Sequence, residues 1–223
     1  MISFHNVTKK YGPHLVLDSV SFGIENNEFV VLSGASGAGK STVIALLIGA
    51  EKPTHGSVEV DGMFVSEMDQ DTLQLFRRKI GVVYQDYKLL GKKTVFENVA
   101  FAMEVCNEPD ELIHERVPAV LAKVGLLNFQ DKFPDQLSGG EKQRLAIARA
   151  LVHKPRLIIA DEPTGNLDEA NVRGIVSLLT QLHAEGNTVL LTTHDPFVRE
   201  LVNGRHLILE EGKIVSDNQA SHG

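Results

Sequence analysis

The segment GASGAGKST, residues Gly34 to Thr42, determines how the rest of the chain is interpreted. It fits the pattern G-x-x-x-x-G-K-S/T, with an apolar run at 29–32 before it and the apolar run TVIALLIGAE, residues 42–51, after it. This context predicts a strand, a tight turn and a buried helix, with backbone N–H groups and the helix N-terminus facing a phosphate chain. A glycine-rich turn without a ligand is the alternative, and the Lys-Ser pair disfavours it.

Every residue of this loop is a candidate phosphate ligand. We expect Lys40 to place a positive charge at the outer phosphates, and Ser41 to offer its hydroxyl to Mg²⁺. The predicted nucleotide-binding residues of the loop are Gly34, Ala35, Ser36, Gly37, Ala38, Gly39, Lys40, Ser41 and Thr42.

Outward from the loop, apolar runs alternate with helical patterns, which predicts an α/β fold. Three later runs are apolar throughout, as is typical of parallel strands buried on both faces. These runs lie at 80–84, 157–160 and 188–193. A fourth, HLILEEGKIV at 206–215, contains a turn signal, so it is either parallel or an antiparallel edge. Residues 1–33 predict short strands, and the region from about 86 to 137 predicts a helical insert without a strand.

Polar residues follow these runs at the points where the strands should end. Gln85 follows the first run, Asp161 and Glu162 the second, and His194 the third. Because ligands of an open parallel sheet bind beyond the carboxyl ends of its strands, we expect these side chains to face one crevice with the phosphate loop. Each also has a structural interpretation, as a turn, a loop start or a packed histidine. Their convergence is what favours a site.

The chemistry of these residues is complementary. Asp161 can hold Mg²⁺ together with Ser41, and Gln85 can reach the metal or an attacking water. Glu162 can orient that water or accept its proton. His194 can stabilise charge on the γ-phosphate. We therefore predict that the catalytic residues are Glu162, His194, Gln85 and Lys40, and that the metal ligands are Ser41, Gln85 and Asp161.

A second glycine-containing helix start occurs at LSGGE, residues 137–141. Ser138 and Glu141 have the spacing of a capping box, which needs no ligand. Two glycines in a first turn cost helix stability, however, by up to about 1 kcal/mol each relative to alanine. They suggest that another group approaches the backbone closely there, and an exposed helix N-terminus suits an anion.

These motifs together resemble those of the ATP-binding cassette (ABC) ATPases. In that family's order they are the phosphate loop, Gln85, the LSGGE signature, LIIADE at 157–162, NLD at 166–168 and His194. The resemblance covers nearly the whole chain. It implies an α/β P-loop NTPase core with a mostly parallel sheet, an N-terminal antiparallel β subdomain and a helical insert. It also implies one domain over 1–223, with the helical subdomain at approximately 86–137.

The resemblance further implies ATP and Mg²⁺ as ligands, and a head-to-tail homodimer formed on ATP binding. Tyr11 stands where the family has an aromatic residue that stacks on adenine, although a strand-end aromatic is the alternative. The signature would cover ATP held by the partner subunit, and the D-loop would lie at the interface. The residues implied are Leu137, Ser138, Gly139, Gly140 and Glu141 for the signature, and Asn166, Leu167 and Asp168 for the D-loop.

Within the family, residues 84–101, YQDYKLLGKKTVFENVAF, resemble the cell-division members. ADEPTGNLD at 160–168 is shared with the ATPases of lipoprotein-releasing and macrolide exporters, so those remain the alternative. We expect a polytopic membrane protein as partner, and a position on the cytoplasmic face of the membrane through that partner. Soluble ABC ATPases that act on nucleic acid or ribosomes carry inserts or second cassettes that we do not find.

Composition agrees with these expectations. The 223 residues suit one large α/β domain, and a net charge of −7 disfavours a general nucleic-acid binder. A single cysteine, Cys106, excludes an internal disulfide. The longest apolar run, residues 43–50, is far shorter than the roughly 20 residues needed to cross a bilayer.

Overall fold

Ten strands and seven α-helices lie within residues 1–218, the part of the chain that the computed structural model describes. The strands are β1 (Ile2–Tyr11), β2 (His14–Ile24), β3 (Phe29–Ser33), β4 (His55–Val60), β5 (Met63–Phe64), β6 (Ile80–Val83), β7 (Leu157–Asp161), β8 (Thr188–Thr193), β9 (Arg205–Glu210) and β10 (Lys213–Asn218). The helices are α1 (Lys40–Leu47), α2 (Gln70–Arg78), α3 (Val95–Glu104), α4 (Asp110–Lys123), α5 (Gly139–Leu151), α6 (Glu169–Ala184) and α7 (Pro196–Leu201).

The larger sheet has six strands in the order β10-β9-β3-β8-β7-β6. Its neighbours from β9 to β6 are parallel, and only the β9–β10 pair is antiparallel. The run at 206–215 therefore contributes to two strands: β9 is a parallel strand beside β3, and β10 is the antiparallel edge.

The smaller sheet is antiparallel, in the order β2-β1-β4-β5. The alternating runs at 3–11 and 15–24 correspond to its first two strands, which have 10 residues in β1 and 11 in β2. The register between them shifts after Phe4, near Asn6, which has φ 46°. Such an irregularity disturbs the strand pairing locally without ending the strand.

Both faces of the larger sheet are buried. Val30 and Leu32 belong to a hydrophobic cluster with α1 and the smaller sheet, whereas Val31 belongs to a second cluster with α3 to α6. Ile158 and Ile159 divide between the two clusters in the same way. Successive strand residues point to opposite faces, so strands covered on both sides must be apolar at every position.

Helices α3 and α4 lie in the region where the sequence predicts a helical insert. Between residues 86 and 137 the described chain contains these two helices and two short 3-10 turns, and no strand. Their buried residues share a hydrophobic cluster with α5 and α6. This region therefore packs on the common core, and its boundaries as a subdomain stay a prediction. No helix within residues 1–218 is both long enough and apolar enough to cross a bilayer.

The β9–β10 hairpin is held by an ion pair that should make stability depend on pH. Arg205 donates to both carboxylate oxygens of Asp217, each at 2.6 Å, and these hydrogen bonds lower the pKa of Asp217. Because the folded-state pKa lies below the unfolded one of about 3.9, the pair stabilises the fold above that pH and is lost as pH falls through the lowered pKa.

We expect Asp217→Asn to lower the free energy of unfolding by about 1 kcal/mol at pH 7, since the carboxylate is partly exposed. The difference from the wild type should shrink as pH falls below about 4. Urea unfolding at several pH values measures this, with Glu211→Gln in the adjacent turn as the control. A difference that stays constant down to pH 3 would contradict the account.

Candidate nucleotide-binding site

The predicted site residues meet at one edge of the larger sheet. Because β3, β8, β7 and β6 are adjacent and parallel, the segments that follow them emerge side by side. One pocket is lined by the phosphate loop together with Gln85 and Glu162. The loop contributes Ser36, Gly37, Gly39, Lys40, Ser41 and Thr42, and β2 contributes Val16.

Glycines of the loop are required by close approaches within the chain. A Cβ on Gly34 would lie 2.2 Å from the carbonyl oxygen of Leu209. Gly39 has φ 110°, and a Cβ there would also lie 2.8 Å from the side chain of Leu17. A residue with a side chain fits neither position, so the turn that begins α1 depends on glycine.

Lys40 is buried in this site, with 6% of its surface exposed. Its ammonium group donates to the carbonyl oxygens of Gly34 (2.8 Å) and Ala35 (3.0 Å), and lies 3.2 Å from a carboxylate oxygen of Glu162. The ammonium is therefore satisfied by the loop and by the carboxylate that follows β7. A phosphate group entering the pocket would have to replace some of these contacts.

Asp161 lies beside Ser41, which lines the pocket. The Ser41 hydroxyl donates to Asp161 at 3.3 Å, and the Thr192 hydroxyl donates to the other carboxylate oxygen at 2.7 Å. A hydroxyl and a carboxylate are hard oxygen ligands of the kind Mg²⁺ takes beside phosphates. This pair fits the metal that the sequence implies.

Glu162 adopts the left-handed conformation, with φ 47°. Its backbone N–H donates to the carbonyl oxygen of Thr192 at 3.2 Å, and its side chain contacts Nδ1 of His194 at 2.8 Å. Lys40, Glu162 and His194 thus form one contiguous group, in which a single carboxylate faces two basic side chains. Non-glycine residues in this conformation persist only where the surroundings impose it, and such residues concentrate at functional sites.

Gln85 is exposed in the same pocket, and its amide nitrogen lies 2.8 Å from where a Cβ on Gly165 would be. A side chain at position 165 would force this amide to move. Tyr11, in contrast, is absent from the pocket lining. It is 42% exposed at the end of β1, with the ammonium of Lys9 4.8 Å from its ring centroid, and its adenine-stacking role stays a prediction.

The LSGGE segment forms the capping box that its spacing predicts. The Ser138 side chain accepts from the backbone N–H of Glu141 at 3.3 Å, and Glu141 accepts from the Ser138 N–H at 2.7 Å. Hydrogen bonds from Ser138 lower the pKa of Glu141. Each of these two side chains thus accepts a hydrogen bond from a free backbone N–H group at the start of α5. Ser138 itself stays exposed. No residue of the segment lines the phosphate pocket of its own chain.

Gly140 has a reason within the chain that the sequence did not reveal. A Cβ on Gly140 would lie 2.1 Å from Oδ1 of Asn171, so a side chain here would force Asn171 to move. This contact gives Gly140 a structural role within its own chain, and the approach of an anion to this helix start stays a prediction. At Gly139 the nearest atom to a Cβ would be the end of the Leu167 side chain, at 3.2 Å, followed by the Tyr87 hydroxyl at 3.5 Å.

The NLD segment packs on the same helix start. Asp168 caps α6 by accepting from the backbone N–H of Asn171 at 2.9 Å, and both of its carboxylate oxygens accept from the Asn171 side chain. Hydrogen bonding to Asn171 lowers the pKa of Asp168. With Leu167 against Gly139 and Asn171 against Gly140, the D-loop and the signature of one chain are in direct contact.

We expect Gly140→Ala to lower the free energy of unfolding by about 1–3 kcal/mol, because Asn171 must move away from Asp168. Gly139→Ala is the matched control and should cost less, since a flexible leucine end can yield. Denaturant unfolding compares the two, and adding Asn171→Ala to Gly140→Ala should recover part of the loss. A Gly140→Ala variant as stable as the wild type would contradict this contact.

Sequence reasoning missed three residues that the site uses. Thr192 holds both Asp161 and Glu162, Val16 lines the phosphate pocket, and Asn171 joins the D-loop to the signature. The Thr-Thr pair before His194 was a usable signal, because a polar residue late in a buried strand needs a partner. No sequence signal pointed to Val16 or Asn171, since their roles depend on contacts between distant segments of the chain.

A phosphate loop between a parallel strand and a helix, with an acidic pair ending the strand two places away, defines a P-loop nucleoside triphosphatase. The match to known proteins narrows this class. The family model described as ABC transporter matches residues 17–165, more than half of the chain. The chain belongs to the ABC transporter ATPase family, and it binds and hydrolyses ATP.

Curated relatives share the whole length of the chain. The cell division ATP-binding protein FtsE of Mycobacterium tuberculosis is 44% identical over 221 residues, covering 98% of this chain and 96% of that protein. FtsE of Bacillus subtilis is 44% identical, covering 97% of this chain and 96% of that protein. FtsE of Escherichia coli is 42% identical, covering 96% of this chain and 97% of that protein.

Solved structures agree in fold. A dimeric structure of the ABC transporter cassette MJ0796 matches with a TM-score of 0.90 and 36% identity, covering 100% of both chains. A dimeric post-hydrolysis state of the same cassette, bound to ADP and Pi, matches with a TM-score of 0.89 and 35% identity over the same coverage.

Proposed function

We propose that the chain is the ATP-hydrolysing subunit of a membrane complex that acts in cell division, with FtsX as its polytopic membrane partner and control of peptidoglycan hydrolysis as the outcome. The observation that carries this proposal is the 42–44% identity to FtsE proteins over nearly the full length of both chains. The subunit works at the cytoplasmic face of the membrane, which it reaches through its partner.

The site supports a composite mechanism in which two copies complete each other. The signature at 137–141 is outside the phosphate pocket of its own chain, yet it presents the exposed Ser138 and the positive end of a 13-residue helix. In a two-fold dimer, each signature would cover the γ-phosphate bound by the other chain's phosphate loop. Asp168, which is also exposed, would lie near that interface.

Within each site, the loop N–H groups and Lys40 bind the phosphates, and Tyr11 stacks on the adenine. Ser41, Asp161 and Gln85 would hold Mg²⁺, which, when bound, neutralises charge on the phosphate oxygens. The contacts of Lys40 with Glu162 are exchanged for phosphate contacts as ATP enters, which frees the carboxylate to face water.

Hydrolysis then uses Glu162 and His194. The Glu162 carboxylate orients the attacking water and accepts its proton as the water oxygen bonds to the γ-phosphorus and the bond to the β-phosphate oxygen breaks. His194, 2.8 Å from Glu162, positions that carboxylate and stabilises charge on the transferred phosphoryl group. ADP and phosphate no longer bridge the two subunits, so the dimer opens.

An apolar groove offers a docking site for the membrane partner. It lies between the end of α2, β6 and the helices α3 and α5, and it exposes Phe101 (38%) and Val105 (59%). Large apolar side chains exposed together mark an interaction surface. A cytoplasmic helix of the partner seated here would contact the loop that follows Gln85, since Lys88 and Leu90 line the same groove.

The ATPases of lipoprotein-releasing and macrolide exporters remain the second candidate, because ADEPTGNLD at 160–168 does not separate them from FtsE. A role on nucleic acid or ribosomes is disfavoured by the net charge of −7. Joint expression with FtsX or with an exporter's membrane subunit tests the choice. Co-purification with FtsX alone is expected, and selective co-purification with an exporter subunit would overturn the proposal.

Dimerisation has its own test. Glu162→Gln, which slows hydrolysis, should elute from size exclusion as a dimer when ATP and Mg²⁺ are present and as a monomer without them. If no ATP-dependent dimer forms, either alone or in the complex with the membrane partner, the composite site is wrong.

A further inference from the structure

The loop that carries Gln85 is fastened to helix α5 by one arginine. Arg149 donates from Nη1 to the carbonyl oxygen of Lys88 at 2.6 Å and from Nη2 to the carbonyl oxygen of Tyr87 at 2.8 Å. Two nitrogens of one planar guanidinium thus hold two successive carbonyl groups. A lysine ammonium at this position has no second rigid donor with which to hold both.

The held residues adopt a backbone conformation that needs support. Tyr87 has φ 58° and Lys88 has φ 50°, so two consecutive residues with side chains lie in the left-handed region. Such residues persist only where their surroundings over-determine them. The Arg149 hydrogen bonds are the contacts that the structure provides at both of these carbonyl groups.

Arg149 is not used for an ion pair. No ion pair between the described residues includes Arg149, and its partial burial lowers the pKa of the guanidinium. A partly buried arginine ordinarily gains a carboxylate partner to offset its loss of water. Here the guanidinium of Arg149 is hydrogen-bonded by the two loop carbonyls instead.

Tyr87 lies near both ends of α5. Its carbonyl accepts from Arg149, near the C-terminal end of the helix, while its hydroxyl lies 3.5 Å from where a Cβ on Gly139 would be, at the N-terminal end. At the other end of the loop, the amide of Gln85 lies against Gly165, which follows the catalytic carboxylate. A displacement of the loop relative to α5 therefore moves Gln85 within the pocket.

We propose that Arg149 is a positioning residue: it ties the loop carrying Gln85 to the signature helix, so that both move as one body and Gln85 is placed for hydrolysis. This inference rests on the proposed roles of Gln85 and the signature. It predicts that weakening the clamp slows turnover while ATP still binds through the phosphate loop.

The test is Arg149→Lys, which keeps the positive charge and loses the double hydrogen bond. We expect kcat to fall at least tenfold, on the order of what small misplacements of catalytic groups cost, with KM for ATP changed by no more than about twofold. The matched control is Arg144→Lys on the same helix, whose guanidinium donates to the carbonyl of Val124 outside the loop. The control should keep the wild-type kcat.

Hydrogen exchange gives a second measurement, on the full-length wild-type protein and on Arg149→Lys. ATP should change the protection of residues 86–90 and of the first turn of α5 together, and Arg149→Lys should raise exchange at 86–90. The proposal is overturned if Arg149→Lys keeps kcat within about twofold, or if its loss of activity is matched by Arg144→Lys with the same loss of thermal stability. It is also overturned if ATP alters one of the two segments and not the other.

Failure of this inference is distinguishable from failure of the composite site. In the Glu162→Gln background, Arg149→Lys should still form the ATP-dependent dimer, because dimerisation uses the phosphate loop and signature, which it leaves intact. If Glu162→Gln alone forms no dimer, the composite site fails, whereas the kcat comparison still tests the clamp.

Discussion

Replacement of Glu162 by glutamine is expected to lower kcat for ATP hydrolysis by about a hundred-fold or more, the usual contribution of a positioned general base. The amide keeps the size of the side chain and loses both the proton acceptor and the negative charge. Because that charge faces the site of the γ-phosphate, ATP affinity should be maintained or increased. Steady-state ATPase assays with nucleotide-binding measurements separate the two effects.

The control is Glu185→Gln, which removes a carboxylate paired with Lys123 on the surface and should leave kcat unchanged. His194→Ala adds a sharper comparison, because His194 contacts Glu162 directly. Residues that act as a unit have non-additive effects, so the double variant should lose little more than Glu162→Gln alone. A Glu162→Gln enzyme within threefold of the wild type would contradict the assigned base.

Replacement of Lys40 by alanine should have the second large effect, and it should weaken ATP binding as well as turnover. The ammonium group now held by two loop carbonyls and Glu162 is the only buried cation lining the described phosphate pocket. Its loss removes a charge-assisted contact to the outer phosphates, so kcat/KM should fall by about 10²–10³. ATP affinity should fall as well, in contrast to Glu162→Gln.

Lys123→Ala is the matched control, because its partner Glu185 lies on the surface rather than in the pocket. Both variants should unfold cooperatively in urea, which separates a binding defect from misfolding. If Lys40→Ala bound ATP as tightly as the wild type, the phosphate loop would not be the principal site of nucleotide binding.

The sequence predicted elements whose signal is local. Strands buried on both faces must be apolar throughout, and the loop at 34–42 combines glycines with Lys-Ser, so both could be recognised from neighbouring residues alone. The helix after the loop was predicted to continue to Glu51. It ends at Leu47 because Gly49 turns left-handed, with φ 65°. Helix α2 was missed because the segment 70–78 is polar on average and Phe76 is its one buried residue.

Features that depend on contacts between distant segments could not be predicted. The sequence placed Gly140 correctly at a helix start, but its need for glycine comes from Asn171, 31 positions later along the chain. Arg149 has the ordinary appearance of a basic residue near a helix end, and only the folded chain shows it against the loop at 87–88. Such contacts set the geometry of the site without leaving a periodic pattern.

Mixing two inactive variants tests the composite site most directly. Lys40→Ala impairs the phosphate loop, whereas Ser138→Asp keeps a good helix cap and places a negative charge where the signature should meet phosphate. A mixed dimer pairs the intact loop of one copy with the intact signature of the other. We expect each variant alone to be inactive and the equimolar mixture to recover about a quarter of wild-type activity, with random pairing in a two-fold dimer. No recovery at any mixing ratio, or full activity of Ser138→Asp alone, would contradict a site shared between two copies.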